Sequence, residues 1–355
     1  MDLHGPKRWR DELAGRGARF DAAGDVRSFG DVETEYRAIR EGASFVDRSS
    51  LESLAVSGAD AARFLHGLTT GDINAMPPGT SLYTLVTDDR GRVLSDATVR
   101  RRDDRTFDLL VERGFAPRVL DWFEAHRIAD RVALRIGGEA IRLELAGPRA
   151  MEALERAGVP SGVAEGSLQS WTVSETEDAV VSFARSVVVE IAAGEARGLW
   201  GRLVEAGFRP AGETAFERWR IERGRPRAGC EFDGDVLPME VGLDDAVSFT
   251  KGCYAGQEII ARATHRGHVH RTLIGLRMAG DAAPGRKTAL MDGDEPVGWI
   301  TSAVAWPDAG VLALACVRRE HAVPSAVLRL PEGPWAREAQ VVGLPVLSGD
   351  AAPGG

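Results

Sequence analysis

The chain has 355 residues, 44% of them hydrophobic and 27% charged, a balance typical of a globular protein with roughly two or three domains. Its net charge of −9 argues against a general nucleic-acid-binding protein, because no excess of Lys and Arg is available to neutralise phosphates. The three cysteines form no C-x-x-C pair, which argues against a disulfide framework and a four-thiolate iron–sulfur site and favours the reducing cytoplasm.

The termini and the apolar runs bear on targeting. Residues 1–29 are polar and Gly-rich and lack the apolar core of a signal peptide. The longest apolar runs, such as 311–317, are too short to cross a bilayer. We therefore predict no membrane contact, a partly flexible N-terminal extension over 1–30 and a disordered Gly/Ala/Pro tail over 348–355.

Helix and strand signals alternate between residues 31 and 268. Periodic apolar residues and helix-starting residues predict helices at 32–40, after an N-capping Asp60, from Pro117, from Pro148, at 195–206, at 214–222 and from Gly256. Short apolar runs predict strands at 54–56, 81–86, 93–99, 107–111, 141–145, near Trp171 and at 187–191, with a hairpin turn at 87–91. Hairpins mixed with helices favour an α+β fold over a parallel doubly wound sheet.

The region 271–346 has a different pattern, with short alternating strands between Gly/Pro-rich turns and no evident helix. The predicted strands are 273–277, 297–304, 311–317, 326–330 and 340–346. This pattern predicts a small all-β domain, a barrel, that begins near residues 269–271.

The segment 251–258, K-G-C-Y-A-G-Q-E, is the densest chemical feature, since it holds one of three lysines and one of three cysteines. Its two glycines allow a sharp turn that exposes Cys253. Lys251 and the start of the following helix would both favour a thiolate, so Cys253 is a candidate reactive thiol. The alternative is a loop that packs two domains together, with Cys253 as a small filler.

Three histidines, His265, His268 and His270, follow this segment. The last two would share one face of an extended strand. A metal needs three or four converging ligands, and no flanking carboxylate or thiolate has a convincing spacing. We therefore predict surface or linker histidines and no metal site.

The segment 251–258 resembles the signature of the YgfZ folate-binding proteins, which are related to aminomethyltransferase, the T-protein of glycine cleavage. The resemblance covers about residues 32–346 and includes the runs 46–49, 54–61, 64–73, 90–96, 220–226, 298–304 and 312–320. It implies a pseudo-symmetric, folate-binding α+β body of two subdomains over 31–268 and a C-terminal β-barrel over 269–347.

The resemblance also implies tetrahydrofolate or a one-carbon derivative as cofactor. Glu190 takes the place of a T-protein glutamate, and a carboxylate can accept both the ring N–H and the amino group of a pterin. Tyr83 takes the place of a pocket tyrosine, Arg220 matches an arginine able to pair with the glutamate carboxylate of folate, and Gln257 is a further candidate contact. Alternatively, Glu190 and Arg220 form a buried ion pair and Tyr83 is a core aromatic of the hairpin.

The sequence departs from the T-protein where that enzyme carries acids. Its adjacent acid pair reads Ser95-Asp96 here, and its Thr-Gly-Glu run is replaced by S-F-A-R at 182–185. Aminomethyl transfer needs a positioned carboxylate near the folate amine, so catalytic activity stays open, with Asp96 as the remaining acid.

By resemblance, the protein supports the assembly or repair of iron–sulfur clusters in client enzymes, including radical-SAM enzymes that modify tRNA, with Cys253 and Lys251 as working residues. The expected partners are folate and these clients, without direct contact to nucleic acid. One alternative is a folate-dependent aminomethyltransferase or demethylase, which would use Asp96. Another is a non-catalytic interaction scaffold that binds no folate.

Overall fold

The computed structural model describes residues 5–158, 168–171, 179–183, 187–191, 194–266, 269–306, 310–331 and 338–346. The described residues divide into two compact units. The first unit lies within 1–86 and 96–216, and the second lies within 87–95 and 217–355. The predicted tail at 348–355 lies outside the described residues.

Helices and strands are interleaved up to residue 222, after which strands dominate. The helices are α1 (Gly5–Gly15), α2 (Val32–Glu41), α3 (Ala61–Leu68), α4 (Ala116–His126), α5 (Ala150–Arg156), α6 (Ala196–Glu205), α7 (Glu213–Glu222) and α8 (Gln257–Arg266), with short 3-10 turns at Pro238–Glu240, Asp244–Ala246 and Arg319–His321. The strands are β1 (Arg19–Phe20), β2 (Val26–Ser28), β3 (Ser44–Asp47), β4 (Glu52–Ser57), β5 (Thr80–Thr87), β6 (Val93–Arg101), β7 (Thr106–Val111), β8 (Ala133–Ile136), β9 (Ile141–Ala146), β10 (Leu168–Trp171), β11 (Ala179–Phe183), β12 (Val187–Ile191), β13 (Arg209–Ala211), β14 (Arg271–Met278), β15 (Ala289–Asp292), β16 (Glu295–Trp306), β17 (Gly310–Arg318), β18 (Val327–Arg329) and β19 (Glu338–Val342).

A six-stranded sheet of order β10-β11-β12-β9-β3-β13 lies in the first unit. Its strands are antiparallel except for the parallel pair β13–β3. Aromatic rings fill one core of this unit: Trp200 lies 4.7 Å from Phe45 and 5.9 Å from Trp9 between ring centroids. Such edge-on pairs add about 0.5–1.5 kcal/mol each beyond burial.

A five-stranded sheet has the order β5-β6-β7-β4-β8. The hairpin β5–β6 turns at Asp88, whose backbone N–H donates to the Arg92 carbonyl and whose side chain accepts the N–H groups of Arg90 and Arg92. This hairpin and its turn confirm the sequence prediction. The tip of the hairpin, 87–95, belongs to the second unit.

The second unit contains a closed barrel of order β14-β17-β16-β15-β18-β19, in which β14 also pairs with β19. Its interior is lined by buried residues such as Leu276, Leu290, Ile300 and Ala313. The barrel and the mixed α and β composition confirm the predicted fold class. The barrel strands start at Arg271, but the two compact units divide the chain elsewhere, and the predicted domain boundaries stay a prediction.

Single elements differ from their predictions. α2 and α7 lie where the sequence predicts helices, but the Asp60 side chain does not cap α3. Its carboxylate instead accepts a hydrogen bond from the backbone N–H of Arg131, which lies in a loop far along the chain. In the N-terminal extension, α1 buries Trp9 and Leu13, which lie four residues apart on one helix face.

Candidate functional site

The segment 251–258 forms a loop that leads into α8. Gln257 is the first residue of this helix, and its backbone N–H donates to the Tyr254 carbonyl at 3.2 Å. Lys251 is buried, with its Nζ 4.8 Å from the centroid of the Tyr254 ring. Burial raises the pKa of Tyr254 to about 12, so this ring stays a neutral phenol that faces the ammonium. Ligand contact by Gln257 and activation of Cys253 by Lys251 stay predictions.

The segment packs tightly on the hairpin turn of its own unit. Gly256 has a φ of +79°, and a Cβ atom there would lie 2.5 Å from the Asp88 carbonyl oxygen and from Gly91 Cα. The Thr87 hydroxyl donates to the Ala255 carbonyl at 2.8 Å. Glycine is therefore required at position 256 by both backbone conformation and space.

Cys253 is the exposed one of the three thiols. Cys316 on β17 is fully buried, and burial raises its pKa to about 12. Cys230 is half-buried, and burial raises its pKa despite the nearby Arg220. Its exposure leaves Cys253 as the thiol best placed to meet a reagent or a partner.

Tyr83 and Asp96 meet across the hairpin. The Tyr83 hydroxyl donates to Asp96 Oδ2 at 2.9 Å, and both side chains are half-buried. Ser95, which occupies the position where the T-protein resemblance expects the other acid, is fully buried. The arrangement leaves one carboxylate, hydrogen-bonded to a phenol, where the T-protein resemblance expects two acids.

Glu190 on β12 is held by two buried arginines. Arg142 is its cross-strand neighbour on β9 and donates from Nε to Oε2 at 2.7 Å. Arg100 Nη2 lies 3.2 Å from Oε1 and 3.1 Å from Oε2. Burial opposes the charged form, but Arg100 and Arg142 outweigh it and hold the pKa of Glu190 below its usual range.

The cluster around Glu190 carries more positive than negative charge. Arg102 lies 3.8 Å from Glu190 Oε1 and donates to Asp108 at 2.6 Å, so three guanidinium groups face two carboxylates. Arg100 is 1% exposed, and its Nε and Nη1 have no hydrogen-bond partner among the described residues. Burial lowers the pKa of Arg100, and Glu190 and Asp108 only partly offset it.

Arg220 lies in a separate buried cluster of the second unit. Its Nε and Nη2 donate to Glu217, Nη1 donates to Glu231 at 2.8 Å and to the Arg225 carbonyl, and Nη2 also donates to Ser302 at 2.7 Å. These contacts use all the donors of a guanidinium group. Burial opposes its charge, but Glu217 and Glu231 raise the pKa of Arg220 above its usual value.

The family model described as the GCVT N-terminal domain matches residues 14–251. The chain belongs to the GCVT family. Of the eight-residue segment 251–258, only Lys251 falls inside the matched range.

GCVT relatives match along most of the chain. An aminomethyltransferase of Alcanivorax borkumensis is 28% identical over 291 residues, 80% of each chain. An aminomethyltransferase of Halalkalibacterium halodurans is 26% identical over 321 residues, 82% of this chain and 83% of the relative. The crystal structure of aminomethyltransferase T from Bartonella henselae, 22% identical, covers 95% of this chain and 96% of its own with a TM-score of 0.83, so the fold is that of an aminomethyltransferase.

The charged partners of the predicted folate ligands Glu190 and Arg220 do not follow from local sequence patterns. Glu190 pairs with Arg100 and Arg142, and Arg220 pairs with Glu217 and Glu231. The predicted alternative, an ion pair between Glu190 and Arg220, is therefore wrong in its partners, since each residue pairs within a cluster of its own unit. Arg142 is a charged residue inside the largely apolar run 141–146, and such a residue indicates a buried ionic partner.

Some predicted features fall outside what the structure describes. His268, residues 184–185 and the side chain of His265 are among them. In the described parts of the chain, no three His, Cys, Asp or Glu side chains are grouped to hold a metal ion. No described helix has both the length and the apolar character for crossing a bilayer.

Proposed function

We propose that this GCVT-family chain is a tetrahydrofolate-binding accessory protein of the YgfZ type that acts in the cytoplasm. It supports the assembly or repair of iron–sulfur clusters in client enzymes, including radical-SAM enzymes that modify tRNA. The observation that carries the proposal is the exposed Cys253 in the segment 251–258, which resembles the YgfZ signature and packs against the hairpin turn through Gly256.

Folate binding is supported by family membership and by the remaining capacity of Glu190. A carboxylate offers about four lone-pair sites, and three contacts from Arg100 and Arg142 occupy Glu190. Its side chain is 18% exposed, so one pterin donor fits without loss of an arginine contact. Arg220 fits the folate carboxylate less well, because each of its donors already has a partner.

The decisive experiment compares two thiol variants in cells that lack the native protein. We expect Cys253→Ser to abolish the support of a radical-SAM tRNA-modifying client, measured as modified tRNA. Cys230→Ser, which removes a half-buried thiol, is the matched control and should retain it. Full client activity with Cys253→Ser, at wild-type protein level, would rule out Cys253 as the working residue.

Calorimetric titration with tetrahydrofolate separates the folate-binding protein from a ligand-free scaffold. A binder should gain RT ln(1 + [L]/Kd), about 2.7 kcal/mol when the ligand is at 100 Kd. The pterin ring alone, as 6-methyltetrahydropterin, should bind within about tenfold of tetrahydrofolate, because Arg220 has no donor left for the tail. Absence of heat and of a thermal shift at millimolar tetrahydrofolate would favour the scaffold.

A second candidate function is aminomethyl transfer, favoured by the hydrogen bond from Tyr83 to Asp96. The relatives named above are aminomethyltransferases, and Asp96 is the acid such an activity would require. Formation of methylenetetrahydrofolate by the purified protein, abolished in Asp96→Asn, would establish this candidate over the accessory function.

A further inference from the structure

A cavity of about 570 Å³ lies within the first unit. This volume is in the range of small-molecule sites, about 300–1,000 Å³. Its walls include Trp9, Phe20 and Ile141, and none of the residues that the folate proposal uses lines it. Because α1 and β1 contribute Trp9 and Phe20, the N-terminal extension builds part of this cavity.

Asp47, at the end of β3, brings a carboxylate to the cavity without a cationic partner. Its Oδ2 accepts the Trp9 indole N–H at 2.7 Å, and its Oδ1 accepts the Ser49 backbone N–H at 2.8 Å. Both donors are neutral, and no Lys, Arg or His of the described chain forms an ion pair with it. Burial raises the pKa of Asp47, and the nearby Asp25 adds to the effect.

The two cations that line the cavity, Arg10 and Arg113, already contact lining residues other than Asp47. Arg113 pairs with Asp25 at 2.6 Å, where both side chains are partly exposed. The Arg10 guanidinium lies over the Phe20 ring, 4.7 Å from its centroid. In total the lining holds two guanidinium groups against four carboxylates, Asp25, Asp47, Glu52 and Glu139.

We propose that this cavity binds an organic cation, an amine with an ammonium group on an apolar body. The ammonium pairs with Asp47, whose hydrogen-bond donors are both neutral, and the apolar body lies against Trp9 and Phe20. Such a ligand supplies the missing counter-charge and covers apolar surface in the same site. The site is separate from the proposed folate function and does not depend on it.

Matched probes test the charge requirement on the full chain. Benzylammonium and benzyl alcohol have the same ring and similar size, but only the first is charged. By calorimetry or thermal shift, we expect benzylammonium to bind and benzyl alcohol to bind at least tenfold more weakly. Equal affinities for the two probes, or no binding of benzylammonium at tens of millimolar, would overturn the proposal.

Two variants test the location. Asp47→Asn keeps an acceptor for the Trp9 indole N–H but removes the negative charge. It should weaken the binding of benzylammonium at least tenfold. Gly138 lines the cavity, and a Cβ there meets nothing within 4 Å, so Gly138→Leu should narrow the cavity without disturbing the fold. Asp104→Asn removes an exposed carboxylate outside the cavity and is the control. Wild-type affinity in folded Gly138→Leu would show that benzylammonium binds elsewhere.

Discussion

Glu190 has a structural role that is independent of its proposed role as a folate ligand. It neutralises Arg100 and Arg142, which are 1% and 2% exposed. Without Glu190, Asp108 would be the one carboxylate left for the three guanidinium groups of this cluster, so Glu190 has a structural role whether or not a pterin binds. A loss of folate binding in a Glu190 variant therefore needs a stability measurement beside it.

We expect Glu190→Gln to destabilise the protein by about 3–5 kcal/mol, because it leaves a buried ion-pair cluster without its central charge. Urea unfolding followed by circular dichroism measures the loss. The control is Glu152→Gln, which breaks an exposed pair with Arg156 and should change stability by less than about 1 kcal/mol. Equal stabilities of the two variants would show that the arginines find other partners.

The same residue predicts a pH window. The folded-state pKa of Glu190 is lowered, so its stabilising effect is complete above the unfolded value of about 4.3 and is lost as the pH falls through the folded value. The difference in unfolding free energy between wild type and Glu190→Gln should therefore be constant near neutrality and shrink below about pH 4. A difference that grew with acidity would contradict the assigned direction.

Among the secondary-structure elements, the loop before α8 depends on one glycine. Gly256→Ala would place a methyl group 2.5 Å from Asp88 and Gly91 and would strain a positive φ. We expect a loss of about 1–3 kcal/mol and a displaced segment 251–258. Unfolding in urea and client support in cells measure these two effects.

The matched control for this substitution is Gly285→Ala in the same unit. A Cβ at Gly285 meets nothing within 4 Å, and its φ is not left-handed. Stability of this variant should stay within about 0.5 kcal/mol of wild type. If Gly256→Ala changed the stability and the client support as little as Gly285→Ala, the close packing of the segment 251–258 on the hairpin turn would not be needed for client support.

The elements also show what sequence patterns can and cannot predict. The barrel strand β17 follows from a continuous apolar run, because both of its faces are buried: Ala313 belongs to the barrel interior and Leu314 to a second apolar cluster. β15 was missed, since it is four residues long, its register shifts after Leu290, and few of its residues are buried. The pairing of Glu190 with Arg142 depends on the register of two strands far apart in the chain, which local patterns do not contain.

The three thiols differ in their exposure to solvent in the folded molecule. Cys316 on β17 is fully buried, and Cys230 is half-buried beside the Arg220 cluster, whereas Cys253 is exposed. Thiols react as thiolates and only where a reagent reaches them, so the folded chain should behave as a protein with one reactive cysteine. This selectivity belongs to the fold, since all three residues are chemically alike in the unfolded chain.

Alkylation with iodoacetamide at neutral pH, followed by intact-mass and peptide mass spectrometry, tests this selectivity. The native protein should gain one adduct, at Cys253, while the same chain in urea should gain three. Native Cys253→Ser should stay unlabelled on the same timescale, which separates its reactivity from slow unfolding. Labelling of Cys230 or Cys316 as fast as Cys253 would show that the native fold opens at those sites and would remove the basis for assigning the working thiol by exposure.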